Sequence, residues 1–285
     1  MSSPGVFTLG IVGSGIMAAG IAEVALLAGH DVVVRSRSTQ GANDVATRVA
    51  KSLDRRVERG KLDASVRDRA LARLTPTTEV SELSACSIVL ESIVEDMDSK
   101  VALLRELDTV VSNAAILATN TSTLSVSALA AATAHPHRVC GIHFFNPATT
   151  LPLVEIIRGD ATTQDTIDTA ATFVASCGKD AVHVRDDAGF IVNALLFPYL
   201  NNAIKMMERG TASMDDIDTA MKGGCNFPMG PFALLDLVGL DTSLSILHTL
   251  HEASGNPADA PAETLVRLVA DGHLGRKTGR GFHTY

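Results

Sequence analysis

Residues 9–20 read LGIVGSGIMAAG. An apolar run leads into Gly13, Gly15 and Ala18, spaced as G-x-G-x-x-A, and an apolar segment of helix length follows as far as Gly29. Strand, glycine turn and helix in this order suit a dinucleotide. Small residues let the backbone bend sharply, approach a pyrophosphate and pack helix on strand, while Ile16 and Met17 open a helix whose N-terminus faces the negative charge. The string alone also fits an ordinary strand-to-helix turn, so its weight depends on the surrounding chain.

Further runs rich in Val, Ile or Leu fall at 31–35, 87–93, 115–120, 139–144, 153–157 and 181–184, with the first at 7–12, separated by helix-length segments. Such alternation predicts an α/β fold, a doubly wound Rossmann-type sheet that is largely parallel. A polar insertion at 40–75 carries Val45, Val49, Leu53 and Val57 at helical spacing with a break at Gly60, which reads as a helical hairpin projecting from the sheet. After Asp187 strand signals give way to helical ones at 190–207, 213–221, 232–238 and 261–271. Two domains are therefore expected: 1–186 for the dinucleotide, with the hairpin at 40–75, and a smaller all-α domain at 187–285.

Composition excludes several classes. The 285 residues, 46% hydrophobic and 20% charged, can bury a sizeable core. A net charge of −8 argues against a nucleic-acid partner, since the phosphate backbone requires a basic footprint. No segment approaches the roughly 20 apolar residues of a membrane span and the opening lacks a basic leader, so neither membrane association nor export is expected. Cys86, Cys140, Cys177 and Cys225 lie far apart, without C-x-x-C, and the nine histidines are scattered. Reduced thiols, a cytoplasmic location and no metal site follow.

The acid that reads an adenosine ribose should stand about 20 residues after the glycine turn. The second strand ends instead in Arg35, Ser36 and Arg37, followed by Ser38. Arginine and serine match a 2′-phosphate by charge and donors where a carboxylate would repel it, so NADP is favoured, with NAD as the alternative. Two solvated arginines would give the same string.

The run VCGIHFFNP delivers His143 and Asn146 to a strand end, and twelve residues past His143, Glu155 interrupts the apolar LPLVEIIRG. A carboxylate inside such a strand calls for a partner, and a histidine oriented by a carboxylate can take a hydroxyl proton while hydride leaves the same carbon. Either residue could equally be a satisfied structural polar group. The cluster Asn120-Thr121-Ser122-Thr123 could donate to a ribose or a substrate hydroxyl, or cap a helix. Asn193, in an otherwise apolar helix, needs a buried partner. Along the hairpin Arg48, Lys51, Arg55 and Arg59 recur at spacings of three and four, a cationic stripe that could meet coenzyme A phosphates or simply be solvated.

Eight motifs, GSGIMAAGIA, ESIVEDMDSK, ATNTST, GIHFFNP, LPLVEII, DAGFIVNALL, FPMGPFALLDLVGLD and GRKTGRGF, follow in an order and spacing that resembles the short 3-hydroxyacyl-CoA dehydrogenases, particularly bacterial 3-hydroxybutyryl-CoA dehydrogenases, over essentially the whole chain. The resemblance implies His143 as catalytic base, Glu155 as the carboxylate that orients it, and Ser122 and Asn193 as substrate contacts, with Asn146 supporting the site. It also implies Glu95, Lys100 and Asn120 near the nicotinamide and its ribose, Lys51 on coenzyme A, where the stripe places Arg55 as its neighbour, and homodimerisation through the helical domain. Family members usually carry an acid where this chain has Ser36 and a tyrosine where it has His283. The function expected is reversible oxidation of an L-3-hydroxyacyl-CoA to the 3-ketoacyl-CoA. A small free hydroxy acid as substrate, or a dinucleotide-binding protein without turnover, are the alternatives.

Overall fold

The computed structural model describes residues 5–285, and the chain divides into two compact units, Met1–Asp187 and Ala188–Tyr285. In the first unit β1 (Thr8–Val12), β2 (Asp31–Arg35), β3 (Leu74–Thr77), β4 (Ile88–Glu91), β5 (Ile116–Thr119), β6 (Val139–Phe144), β7 (Leu153–Arg158) and β8 (Asp180–Arg185) form one sheet in the order β3-β2-β1-β4-β5-β6-β7-β8. Strands β1 to β6 run parallel; β7 pairs antiparallel with β6, and β8 pairs parallel with β7. A short connection at 145–152 reverses the chain there, which makes β6 and β7 hydrogen-bonded neighbours in register.

Strand side chains alternate between faces, and the core follows suit. Leu9, Ile11, Ile88, Leu90, Ile116, Ala118, Ile142 and Phe144 share one cluster with α1 (Ile16–Leu27), α2 (Thr39–Glu58) and α6 (Gln164–Ser176). Val12, Val89, Leu117 and Val139 share the other with α4 (Met97–Val110) and α5 (Val126–Ala131). The odd members of β6 and β7, His143 and Glu155 among them, therefore lie on the α4–α5 face.

Two expectations need correction. The insertion does form a hairpin, α2 followed by α3 (Ala64–Leu71), but Val45, Val49 and Leu53 are buried in the α1 cluster. It thus lies along α1 instead of projecting. Its last residues also form β3, a strand not expected from LTPT; Pro76 is tolerated there because β3 is the sheet's edge. At the end of the sheet away from the strand C-termini, the buried Arg138 donates from Nε and Nη2 to Asp108 of α4 at 3.2 and 2.6 Å. Burial works against the charge of Asp108, but Arg138, the Ala134 amide and His135 hold its carboxyl below the usual range.

The second unit is all-α: α7 (Val192–Glu208), α8 (Met214–Cys225), α9 (Pro231–Val238), α10 (Leu240–Ser254) and α11 (Glu263–Ala270) surround Phe197, Leu200, Ile204, Phe232, Leu235, Leu247 and Leu265. Helix α10 was not expected, because its apolar residues are interleaved with Ser, Thr and His; Gly239, at φ 104°, separates it from α9. The buried Asp236 accepts from the amides of Phe282 and His283, from His283 Nδ1 and from the Tyr285 hydroxyl, and so ties down the C-terminal residues. Among the described residues no single helix is long and apolar enough to cross a membrane.

Candidate functional site

The glycine turn is built for close approach. Gly13 has φ 146°, and a Cβ there would meet Ser92 O at 2.2 Å, so no other residue fits. Gly15 caps α1 without any side-chain bond, and a Cβ there would meet nothing within 4 Å. The first amides of α1 have no side-chain cap, and a helix N-terminus of this kind suits an anion such as a pyrophosphate. Ala18 is buried where α1 packs on the sheet, Met17 is half-buried, and Ile16 stands 70% exposed beside the turn. Arg48, exposed like the rest of the stripe, also donates from its guanidinium to Ser14 O at 2.8 Å and so links α2 to the turn. Lys51, Arg55 and Arg59 remain exposed on α2.

At the end of β2, Arg35 is half-buried and donates from Nε to Thr78 O at 3.3 Å, Ser36 is buried, and Arg37 is exposed. No carboxylate stands at these three positions. Ser38 caps α2, accepting from the Gly41 amide at 3.1 Å, so a second helix N-terminus opens beside Arg37.

Beyond β5 and β6 lies a hydrogen-bonded chain of side chains. Register pairs His143 with Glu155 across β6 and β7, and Nδ1 of the imidazole lies 2.8 Å from Glu155 Oε2. Its Nε2 lies 3.1 Å from Ser122 Oγ. His143 is 4% exposed and Glu155 0%, and the Phe145 ring packs against the imidazole at a tilt of 53°, with 4.5 Å between ring centroids. An ionised carboxylate only accepts, so Glu155 fixes the proton on Nδ1 and leaves the Nε2 lone pair directed to the Ser122 side. Asn120 supports the neighbouring loop by accepting from the Phe144 amide at 2.8 Å. Asn146 is placed elsewhere: exposed, it lines a cavity of ≈ 180 Å³ with Ile16, Gly20, Arg48 and Ser52. Asn193 belongs to the second unit, buried in the first turn of α7.

The loop carrying Ser122 is held by Glu95. Its Oε1 accepts from Thr121 Oγ1 at 2.6 Å, the Ser122 amide at 2.8 Å and the Thr123 amide at 3.1 Å. Burial opposes the charge on Glu95, but Lys100 and these donors hold its carboxyl below the usual range. Lys100 is 1% exposed and pairs with both Glu91 and Glu95. Glu91 and Thr119, which join this network, were not singled out from the sequence. Glu91 carried a signal akin to that of Glu155: one acid closes the apolar β4, the other interrupts the apolar β7. Among the described residues no group of three or more His, Cys, Asp or Glu could hold a metal.

An oriented imidazole and a glycine turn, both at the carboxyl ends of the parallel strands, suit a dinucleotide-linked alcohol oxidation, and comparison with known proteins agrees. Residues 8–187 match the model of the 3-hydroxyacyl-CoA dehydrogenase NAD binding domain, and residues 189–285 that of the C-terminal domain. The chain belongs to the 3-hydroxyacyl-CoA dehydrogenase family. It is 44% identical over 279 residues to a 3-hydroxybutyryl-CoA dehydrogenase of Mycobacterium tuberculosis, covering 97% of this chain and 98% of that one. With the mitochondrial hydroxyacyl-coenzyme A dehydrogenase of Homo sapiens it shares 40% over 284 residues, 96% of this chain and 90% of the relative. The crystal structure of the (S)-3-hydroxybutyryl-CoA dehydrogenase of Ralstonia eutropha superposes with a TM-score of 0.95 or better, 0.96, at 40% identity and 99% coverage of both chains. This family member is accordingly an oxidoreductase with an NAD-binding domain followed by a helical one.

Proposed function

We propose that this dehydrogenase interconverts an L-3-hydroxyacyl-CoA, with 3-hydroxybutyryl-CoA as the representative substrate, and the 3-ketoacyl-CoA. The observation that carries the proposal is the Glu155–His143–Ser122 chain, with 2.8 and 3.1 Å between successive polar atoms. When bound, the nicotinamide supplies the hydride acceptor or donor. His143 Nε2 takes the hydroxyl proton during oxidation and returns it during reduction, Glu155 stabilises the imidazolium through Nδ1, and the Ser122 hydroxyl holds the reacting oxygen. Asn193 is assigned to the substrate on the strength of the resemblance, and Asn146 to a supporting role.

For the cofactor, Gly13, Gly15, Ile16, Met17 and Ala18 would receive the pyrophosphate, and Glu95 and Asn120 the nicotinamide end. We infer NADP over NAD. The support is the exposed Arg37 beside the N-terminus of α2, together with Arg35 and Ser36, where an acid would otherwise repel a 2′-phosphate. Lys51 and Arg55, exposed on the hairpin, would meet the phosphates of coenzyme A. Homodimerisation through the second unit accords with its exposed Leu195, Phe227, Leu237 and Val266, and a cytoplasmic location with four free cysteines.

Incubating the protein with acetoacetyl-CoA and NADPH or NADH tests the function. Loss of reduced-cofactor absorbance is expected, faster with NADPH. Absence of turnover with both dinucleotides, or a preference for oxidising a free sugar acid such as gulonate, refutes it.

A further inference from the structure

Glu91 ends β4 in register with Thr119 at the end of β5, on the same sheet face as His143 and Glu155. It is 0% exposed and its carboxylate is fully engaged. Oε2 accepts from Thr119 Oγ1 at 2.8 Å, while Oε1 accepts from the Ile93 amide at 3.0 Å and from the Lys100 ammonium. A buried ion pair adds little to stability over apolar residues of the same volume. Two carboxylates around one buried lysine call for a different reason.

The division of Glu95's oxygens supplies it. Oε2 lies 3.3 Å from Lys100 Nζ, and Oε1 alone takes the donors of residues 121–123. Because Glu91 already balances the ammonium, Glu95 can turn an oxygen outward to the loop. Without the charge of Glu91, the whole countercharge of a buried Lys100 falls on Glu95. Its carboxylate is then drawn onto Nζ and away from the Ser122 and Thr123 amides.

We propose that Glu91 is a positioning residue, acting through Lys100 and Glu95 to fix the loop that presents the Ser122 hydroxyl to His143. It rests on the assignment of Ser122 and His143 as the proton-transfer pair.

A double-mutant cycle tests it: wild type, Glu91→Gln, Ser122→Ala and the double variant, assayed for acetoacetyl-CoA reduction at saturating dinucleotide. In the wild-type background Glu91→Gln is expected to lower kcat by about 10- to 100-fold, the usual cost of displacing a reacting group by about 1 Å. The KM for acetoacetyl-CoA is expected to stay within about threefold. In the Ser122→Ala background the same change should cost less than about threefold, because the group it positions is already gone. Equal factors in both backgrounds mean that Glu91 serves folding only, and overturn the proposal. Should Glu91→Gln not yield folded protein, Glu95→Gln, at a carboxylate 36% exposed, cuts the same chain: its loss must likewise vanish in Ser122→Ala, and additivity overturns the proposal. A wild type inactive with both dinucleotides refutes the function itself, whereas an active wild type with additive losses refutes only the positioning role.

Discussion

Glu155→Gln keeps the volume of the side chain and one acceptor but removes the charge beside His143. Both groups are buried and 2.8 Å apart at their polar atoms, so solvent screens them poorly. With an effective permittivity of about 20 and charge centres about 4 Å apart, carboxylate and imidazolium attract by about 4 kcal/mol. The imidazolium is only partly formed in the transition state, which leaves about 2 to 4 kcal/mol at stake, or about 30- to 1,000-fold in rate. The glutamine amide can also donate to Nδ1, which moves the imidazole proton onto Nε2 and abolishes the base. The assay is acetoacetyl-CoA reduction followed by NADPH absorbance, with dinucleotide affinity measured separately by fluorescence. A fall in kcat of that size is expected while NADPH affinity is unchanged. A kcat within about threefold of wild type would refute the role given to the carboxylate.

Three further outcomes are expected. Arg37→Ala should weaken NADPH binding by about tenfold, the worth of one charge-assisted hydrogen bond, and leave NADH binding unaltered; equal losses for both, by titration calorimetry, would remove the phosphate from this position. Lys51→Glu combined with Arg55→Glu should raise the KM for acetoacetyl-CoA by about tenfold but leave a small dicarbonyl substrate unaffected, and steady-state kinetics with both substrates decides. Asp108→Asn strands the buried Arg138, at a cost of about 3–5 kcal/mol near neutral pH. Since the folded carboxyl of Asp108 titrates below its unfolded value of 3.8, its stabilisation is full above that pH and is lost as pH falls through the lower folded value. The gap in thermal midpoint between wild type and Asp108→Asn should therefore hold from about pH 7 to about pH 4 and narrow on further acidification; a gap that stays constant at every pH would deny the ion pair this role.

The sheet was legible because its strands are Val- and Ile-rich runs separated by helix-length segments, and the glycine turn because Gly13 admits no side chain. Edge strand β3 was not, since LTPT is short, polar and interrupted by proline; its place comes from pairing with β2. The antiparallel turn between β6 and β7 could not be inferred from strand content, yet it alone puts His143 opposite Glu155. A spacing of twelve residues says nothing about facing, whereas the register settles it. Glu91 escaped, and with it the pairing to Lys100, because a buried charge is legible only with its partner, and the two stand nine positions apart in sequence on different elements. Arg48 reads as one cation of a solvated stripe until α2 is seen lying along α1, where its guanidinium reaches Ser14.

The most direct test compares hydride transfer in wild type and His143→Gln under single-turnover conditions, with dinucleotide binding measured on the same samples. His143→Gln is expected to bind NADPH as tightly as wild type and to reduce acetoacetyl-CoA slower by about three orders of magnitude, the loss of a general acid and base. A variant that binds NADPH and still transfers hydride within about tenfold of the wild-type rate would place the proton chemistry on some other group.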